Sequence, residues 1–140
     1  MVELRHCQRA AAVLCGLVAL ATICGMLVPA HAEDFPFGME FTLDAAPMRG
    51  SKRVPRIEIG ANGEVQLDLW CKSASGQFSV AGDSVIFVPG QVQDNGCPAD
   101  RAAADDGLLS ALSEATGWKR QGDQLTLTGT RSLRFLLLTN

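Results

Sequence analysis

Beyond residue 36, apolar side chains recur at every second position in short runs broken by glycine-bearing turns. A period of two is the mark of strands that bury one face. Phe37, Met39, Phe41 and Leu43 share a face, opposite Gly38, Glu40 and Thr42. Ile57 and Ile59 begin a second run; on its return Val65, Leu67 and Leu69 face one way and Gln66 and Asp68 the other. Asn62-Gly63 lies between them, a pair that tolerates the positive φ of a type I′ turn and so signals a hairpin. A second hairpin is predicted from residues 77–81 and 84–88 around Gly82-Asp83, with Phe78, Val80, Ile86 and Val88 inward. A last one sets residues 124–128 against 132–138 across Gly129. In that final strand Leu133, Phe135 and Leu137 oppose Leu136 and Leu138, which predicts burial on both sides.

One helix is expected, over residues 105–116. Asp105 or Asp106 can cap its free N–H groups and complement its dipole. Leu108, Leu109, Leu112 and Ala115 then form one apolar stripe, and Gly117 is placed to end the helix in a left-handed conformation. Residues 89–101 read as irregular. These elements imply an α+β fold: a curved antiparallel β-sheet built from hairpins, with one amphipathic helix packed on a side or plugging an end.

The first 32 residues have a different character. Arg5 and Arg9 precede an apolar or small-residue run of 19 positions, Ala10 to Val28, and Ala30-His31-Ala32 follows. This is the three-part layout of a secretory signal peptide. The run is near the lower limit for a membrane span, but the Ala-x-Ala site and the polar Glu33-Asp34 favour cleavage. A lipid anchor on Cys15 or Cys24 is disfavoured, since Ala12 and Ala21 stand where a Leu is expected. The expected organisation is a signal peptide over residues 1–32 and one domain over residues 33–140. The mature chain is expected to start at Glu33, to be periplasmic or secreted, to hold no membrane segment and to be a monomer.

Cleavage removes 32 of 140 residues and leaves 108, enough for a single small core. It also removes both histidines, His6 and His31, and three of the five cysteines. The absence of a mature His excludes Ser–His and Cys–His nucleophile pairs and His-containing zinc or copper sites. Cys71 and Cys97 remain; in an exported chain they read as one disulfide, the alternative being two separate buried thiols. Loss of Glu3, Arg5 and Arg9 takes 12 basic and 15 acidic residues to 10 and 14, a balance unlike that of a nucleic-acid binder. Asp105-Asp106 with Asp100 nearby could suggest paired catalytic carboxylates, but adjacent acids at a helix start read better as caps. Asp94-Asn95-Gly96 lacks the ligand spacing of a calcium loop and reads as a turn before Cys97.

The stretch from Leu69 to Phe135 resembles the META domain family (HslJ-like). The matching residues are Cys71, Gly76, Gly82-Asp83, Cys97, Asp105-Asp106 with Leu108, Leu109 and Leu112, then Gly122-Asp123-Gln124-Leu125-Thr126-Leu127, and Leu133-Arg134-Phe135. Trp70-Cys71-Lys72 stands where the family pattern has Gly-Cys-Asn, and Phe78 replaces its usual following aromatic. The resemblance implies an exported or envelope-associated domain without enzymatic activity, catalytic residues or cofactors. It also implies a link to secretion, motility and stress tolerance.

Two features suit binding. Arg49, Lys52, Arg53 and Arg56 place four of ten mature basic residues within eight positions, in a segment bracketed by Pro47 and Pro55. Proline lacks an N–H donor, so the segment is expected to project from the sheet. Its cations would meet an anionic envelope polymer or the acidic face of an envelope protein; otherwise it is a solvated connector. Trp70 and Trp118 are either contact residues or packed against the helix and disulfide. The leading expectation is a binding or structural domain of the envelope. The alternative is a secreted hydrolase inhibitor presenting residues 49–56, and a carboxylate-dependent hydrolase ranks last.

Overall fold

The computed structural model describes residues 33–139. The expected signal peptide, its cleavage site and the thiols and histidines within it lie outside the described residues. Eight antiparallel strands follow one another around a closed barrel: β1 (Met39–Leu43), β2 (Arg56–Ile59), β3 (Glu64–Asp68), β4 (Ser73–Ala81), β5 (Ser84–Gln93), β6 (Gly117–Gln121), β7 (Gln124–Thr128) and β8 (Leu133–Leu137). One helix, α1 (Ala99–Ser113), lies between β5 and β6.

This closed barrel corrects the expected α+β fold with a curved antiparallel sheet built from hairpins. The first strand pairs with the last, Phe41 opposite Leu137 and Leu43 opposite Phe135, and this pairing closes the sheet on itself. Alternation dictates strands but not which distant strands meet, so closure carries no local signature. The weakest seam is between β5 and β6, where the ladder reduces to Ser84 opposite Gly117. Val85 N–H donating to Thr116 and Trp118 N–H donating to Asp83 extend it. Helix α1 packs against β5 and adds Leu108, Leu109 and Leu112 to the core.

The period-two reading holds where the hairpins are tight. Ile57, Ile59, Val65 and Leu67 are buried while Glu58, Glu64, Gln66 and Asp68 face water. The Asn62-Gly63 hairpin forms, with Ile59 opposite Val65. Gly63 adopts φ +84° there, and a Cβ on it would sit 2.6 Å from the Phe78 carbonyl, so no other residue fits.

Four expectations are corrected. In β5 the inward residues are Val85 and Phe87, not Ile86 and Val88, which are 62% and 54% exposed. The two-residue Gly82-Asp83 turn sets Val80 opposite Val85 and Phe78 opposite Phe87, and partners on an antiparallel pair share a face. In β8, Leu136 is exposed, because a barrel strand has one wall toward the core and one toward water. Helix α1 begins six residues earlier than expected, directly after Pro98, whose φ of −58° suits a helix start. It closes at Glu114 in right-handed conformation, so Gly117 opens β6 and terminates nothing.

Candidate functional site

The earlier helix start moves Asp105 from the expected cap into the middle of α1, where its side chain is fully buried. Its carboxylate accepts three backbone N–H groups from the turn after β3: Trp70 at 2.9 Å, Cys71 at 3.0 Å and Lys72 at 2.7 Å. A buried carboxylate is tolerable when hydrogen bonds replace its water. The neighbouring Asp106 points outward and accepts from Lys72 Nζ at 2.6 Å. That hydrogen bond holds the Lys72 ammonium above the usual lysine pKa, against the opposing effect of burial. The two acids are therefore structural partners of one turn, and the reading of either as a cap is corrected.

Cys71 and Cys97 are joined in a disulfide, with Cα atoms 5.8 Å apart. It ties the same turn to the segment before α1. Asp94 Oδ1 accepts from the N–H groups of Gly96 and Cys97, both at 3.0 Å, which is the turn expected there. Trp70 is partly buried against the core, with its indole Nε1 buried and unpartnered. Among the described residues, no three His, Cys, Asp or Glu side chains are grouped to hold a metal ion.

The basic segment runs from β1 to β2 outside any strand, apart from Arg56, which opens β2. Lys52, Arg53 and Arg56 line one shallow cleft of about 360 Å³ with Thr42, Val54 and Asp68. Arg49 is exposed and stands apart from it. Arg56 pairs with Glu40 at 2.8 Å and Arg53 with Asp68 at 3.7 Å, so barrel carboxylates offset part of this charge. Arg49 and Lys52 form no ion pair among the described residues.

A larger cleft, about 820 Å³, opens at the mouth of the barrel where β1 begins. Phe35 floors it, with ring centroids 4.9 Å from Phe37 and 5.0 Å from Trp118, the latter at 90°. The alternating pattern put Phe37 on a face of the first strand, but it precedes β1 and is exposed; Trp118 was singled out as a contact candidate, and nothing pointed to Phe35. Nor did local pattern reveal β6, whose Trp118 and Arg120 border this cleft.

A family model for the META domain matches residues 39–140. A protein whose solution structure was determined by NMR shares the fold at a TM-score of 0.55 and 17% identity, over 71% of this chain and 89% of that one. A DUF4847 family protein from Bacteroides vulgatus ATCC 8482 is more distant, at TM-score 0.49 and 14% identity, over 59% of this chain and 57% of that one. No curated protein matches the chain. The likeness to the NMR structure carries the fold alone; the family match spans most of the sequence and includes every strand and the helix. The chain belongs to the META domain family.

Proposed function

We propose that this META domain is exported and acts without catalysis, by binding an anionic partner in the envelope through Arg49, Lys52, Arg53 and Arg56. Three of these four cations converge on a single cleft, and this is the observation that carries the reading. Two lines support it. The barrel interior is filled by side chains such as Phe41, Ile57, Leu69, Leu112, Leu125 and Phe135, so a partner meets the outer surface. The Cys71–Cys97 bond is the kind that persists in an oxidising compartment.

The pairs with Glu40 and Asp68 do not remove this capacity. Exposed ion pairs contribute at most about 1 kcal/mol, so an incoming polyanion can exchange with them at small cost. Capture from an envelope fraction by immobilised wild-type protein, against a variant with all four cations changed to Ser, tests the reading. Retention of an anionic polymer or acidic protein by the wild type only, fading as salt rises, is the expected result. Equal retention by both proteins would reduce residues 49–56 to a connector. A stoichiometric hydrolase partner whose activity falls on binding would replace this reading with inhibition.

A further inference from the structure

The mouth cleft lies at the opposite end of β1 from the basic segment: Phe37 precedes that strand and the 44–55 loop follows it. Its floor is apolar. Phe35 is 6% exposed and wedged edge-on between Trp118 and Phe78. The Trp118 Nε1 proton is committed to the Gly82 carbonyl at 2.8 Å, so the indole meets the cleft as an apolar surface. Phe37, 42% exposed, is a large apolar side chain at the entrance.

Arg120 gives this floor a polarity. It stands opposite Leu125 on β7, as Trp118 stands opposite Leu127, and both leucines are fully buried. Arg120 therefore occupies a core-facing register position at the barrel mouth and is only partly exposed. Its Nε donates to the Gly122 carbonyl at 2.9 Å, and it forms no ion pair among the described residues. Lys119 lies beside it at the rim and likewise forms none. A guanidinium without an ion-pair partner next to aromatic surface suits an anion whose remainder is apolar.

We propose that the cleft binds a monomeric anionic amphiphile. An apolar chain or ring would rest on Phe35, Phe37 and Trp118, with its carboxylate or phosphate on Arg120. The volume lies in the range of small-molecule sites. Glu33, Asp34 and Asp83 border the same cleft without pairing to either cation. With acidic side chains around it, Asp83 beside β6 itself, the cleft suits a single anionic head on Arg120 and disfavours a polyanion or an anionic bilayer. The site is thus distinct in ligand chemistry from the basic segment.

The test titrates the purified protein with dodecanoate, dodecyl phosphate, dodecyltrimethylammonium and dodecanol, each below its micelle concentration, by calorimetry and tryptophan fluorescence. At least one anion should bind saturably at one site, about ten-fold or more tighter than the cation, and the tighter of the two anions names the preferred head. Arg120→Gln should weaken the anions about ten-fold and leave dodecanol unchanged. Phe37→Ser, at an exposed position that does not threaten the core, should weaken all ligands. Changing Arg49, Lys52, Arg53 and Arg56 to Ser should change nothing here, which separates this site from the envelope-binding face. Absence of saturable binding by both anions overturns the proposal. So does equal affinity for the cation, an unchanged affinity in Arg120→Gln, or uptake on phosphatidylglycerol vesicles without binding of the monomers.

Discussion

The turn at residues 69–72 and the loop at residues 44–55 are connections at the same end of the barrel, and charge does opposite work in them. Arg56 pairs in register with both Thr42 and Asp68, so the two lie side by side. Against the turn, charge faces inward: Asp105 of α1 is fully buried and its oxygens are occupied by the turn's three N–H groups. In the loop, charge faces water: Arg53 and Asp68 are more than half exposed and sit 3.7 Å apart. The same residue types build structure where water is excluded and remain available to a partner where it is not.

The largest test of this contrast is Asp105→Ala. Each backbone N–H left without an acceptor costs roughly 1–3 kcal/mol, so the three together should lower stability by about 4 kcal/mol. Chemical denaturation measures it, and Asp105→Asn, which keeps one acceptor oxygen, should fall between wild type and Ala. A change under about 1 kcal/mol would mean that the turn holds without the helix.

Reduction of the disulfide should have the next largest effect. A loop of 26 residues corresponds to about 3.5 kcal/mol of loop-closure entropy. Asp105 still grips Cys71 after reduction, so hydrogen exchange should rise around residues 94–98 and stay low at residues 70–72. Uniform loss of protection would show that Asp105 and the disulfide are not independent holds.

A smaller effect distinguishes Lys72. Its raised pKa means that the folded state binds this proton more tightly than the unfolded chain does. The resulting stability is fully present below the ordinary lysine pKa of about 10.4 and is lost as pH rises through the folded value. Wild-type melting temperature should therefore drop on the alkaline side more steeply than that of Asp106→Asn. Parallel curves would remove the hydrogen bond as the cause.

The smallest stability change belongs to the loop. With Arg49, Lys52, Arg53 and Arg56 all changed to Ser, only the surface pairs to Glu40 and Asp68 are lost, each worth under about 1 kcal/mol. The melting curve should stay nearly in place while capture of the anionic partner falls. Unfolding of this variant would assign the cations to the barrel wall.

Much of this was legible in the sequence, and the failures share a cause. Alternation located β2 and β3 with their inward Ile57, Ile59, Val65 and Leu67, because a half-buried strand writes its two faces into alternate residues. Asn62-Gly63 and Gly82-Asp83 located turns, because backbone with positive φ requires such residues. Two cysteines located the covalent link, and the basic cluster was visible as composition. Asp105 was misread because its partners are backbone groups 33 to 35 residues away. β6 was missed because Gly117-Trp118-Lys119-Arg120-Gln121 carries few apolar residues, its inner face holding Trp118 and Arg120 at the barrel mouth.

Local periodicity, turn positions, the available thiols and the family pattern were legible in the sequence, since each is a matter of residue type and order along the chain. Tertiary structure alone decided that β1 meets β8, that Ile86 and Val88 face water, and that a helical aspartate anchors a distant turn. It also decided that Arg120 shares a cleft with Phe35. Each of these joins residues far apart in the chain, and their meeting depends on how the sheet closes around one core.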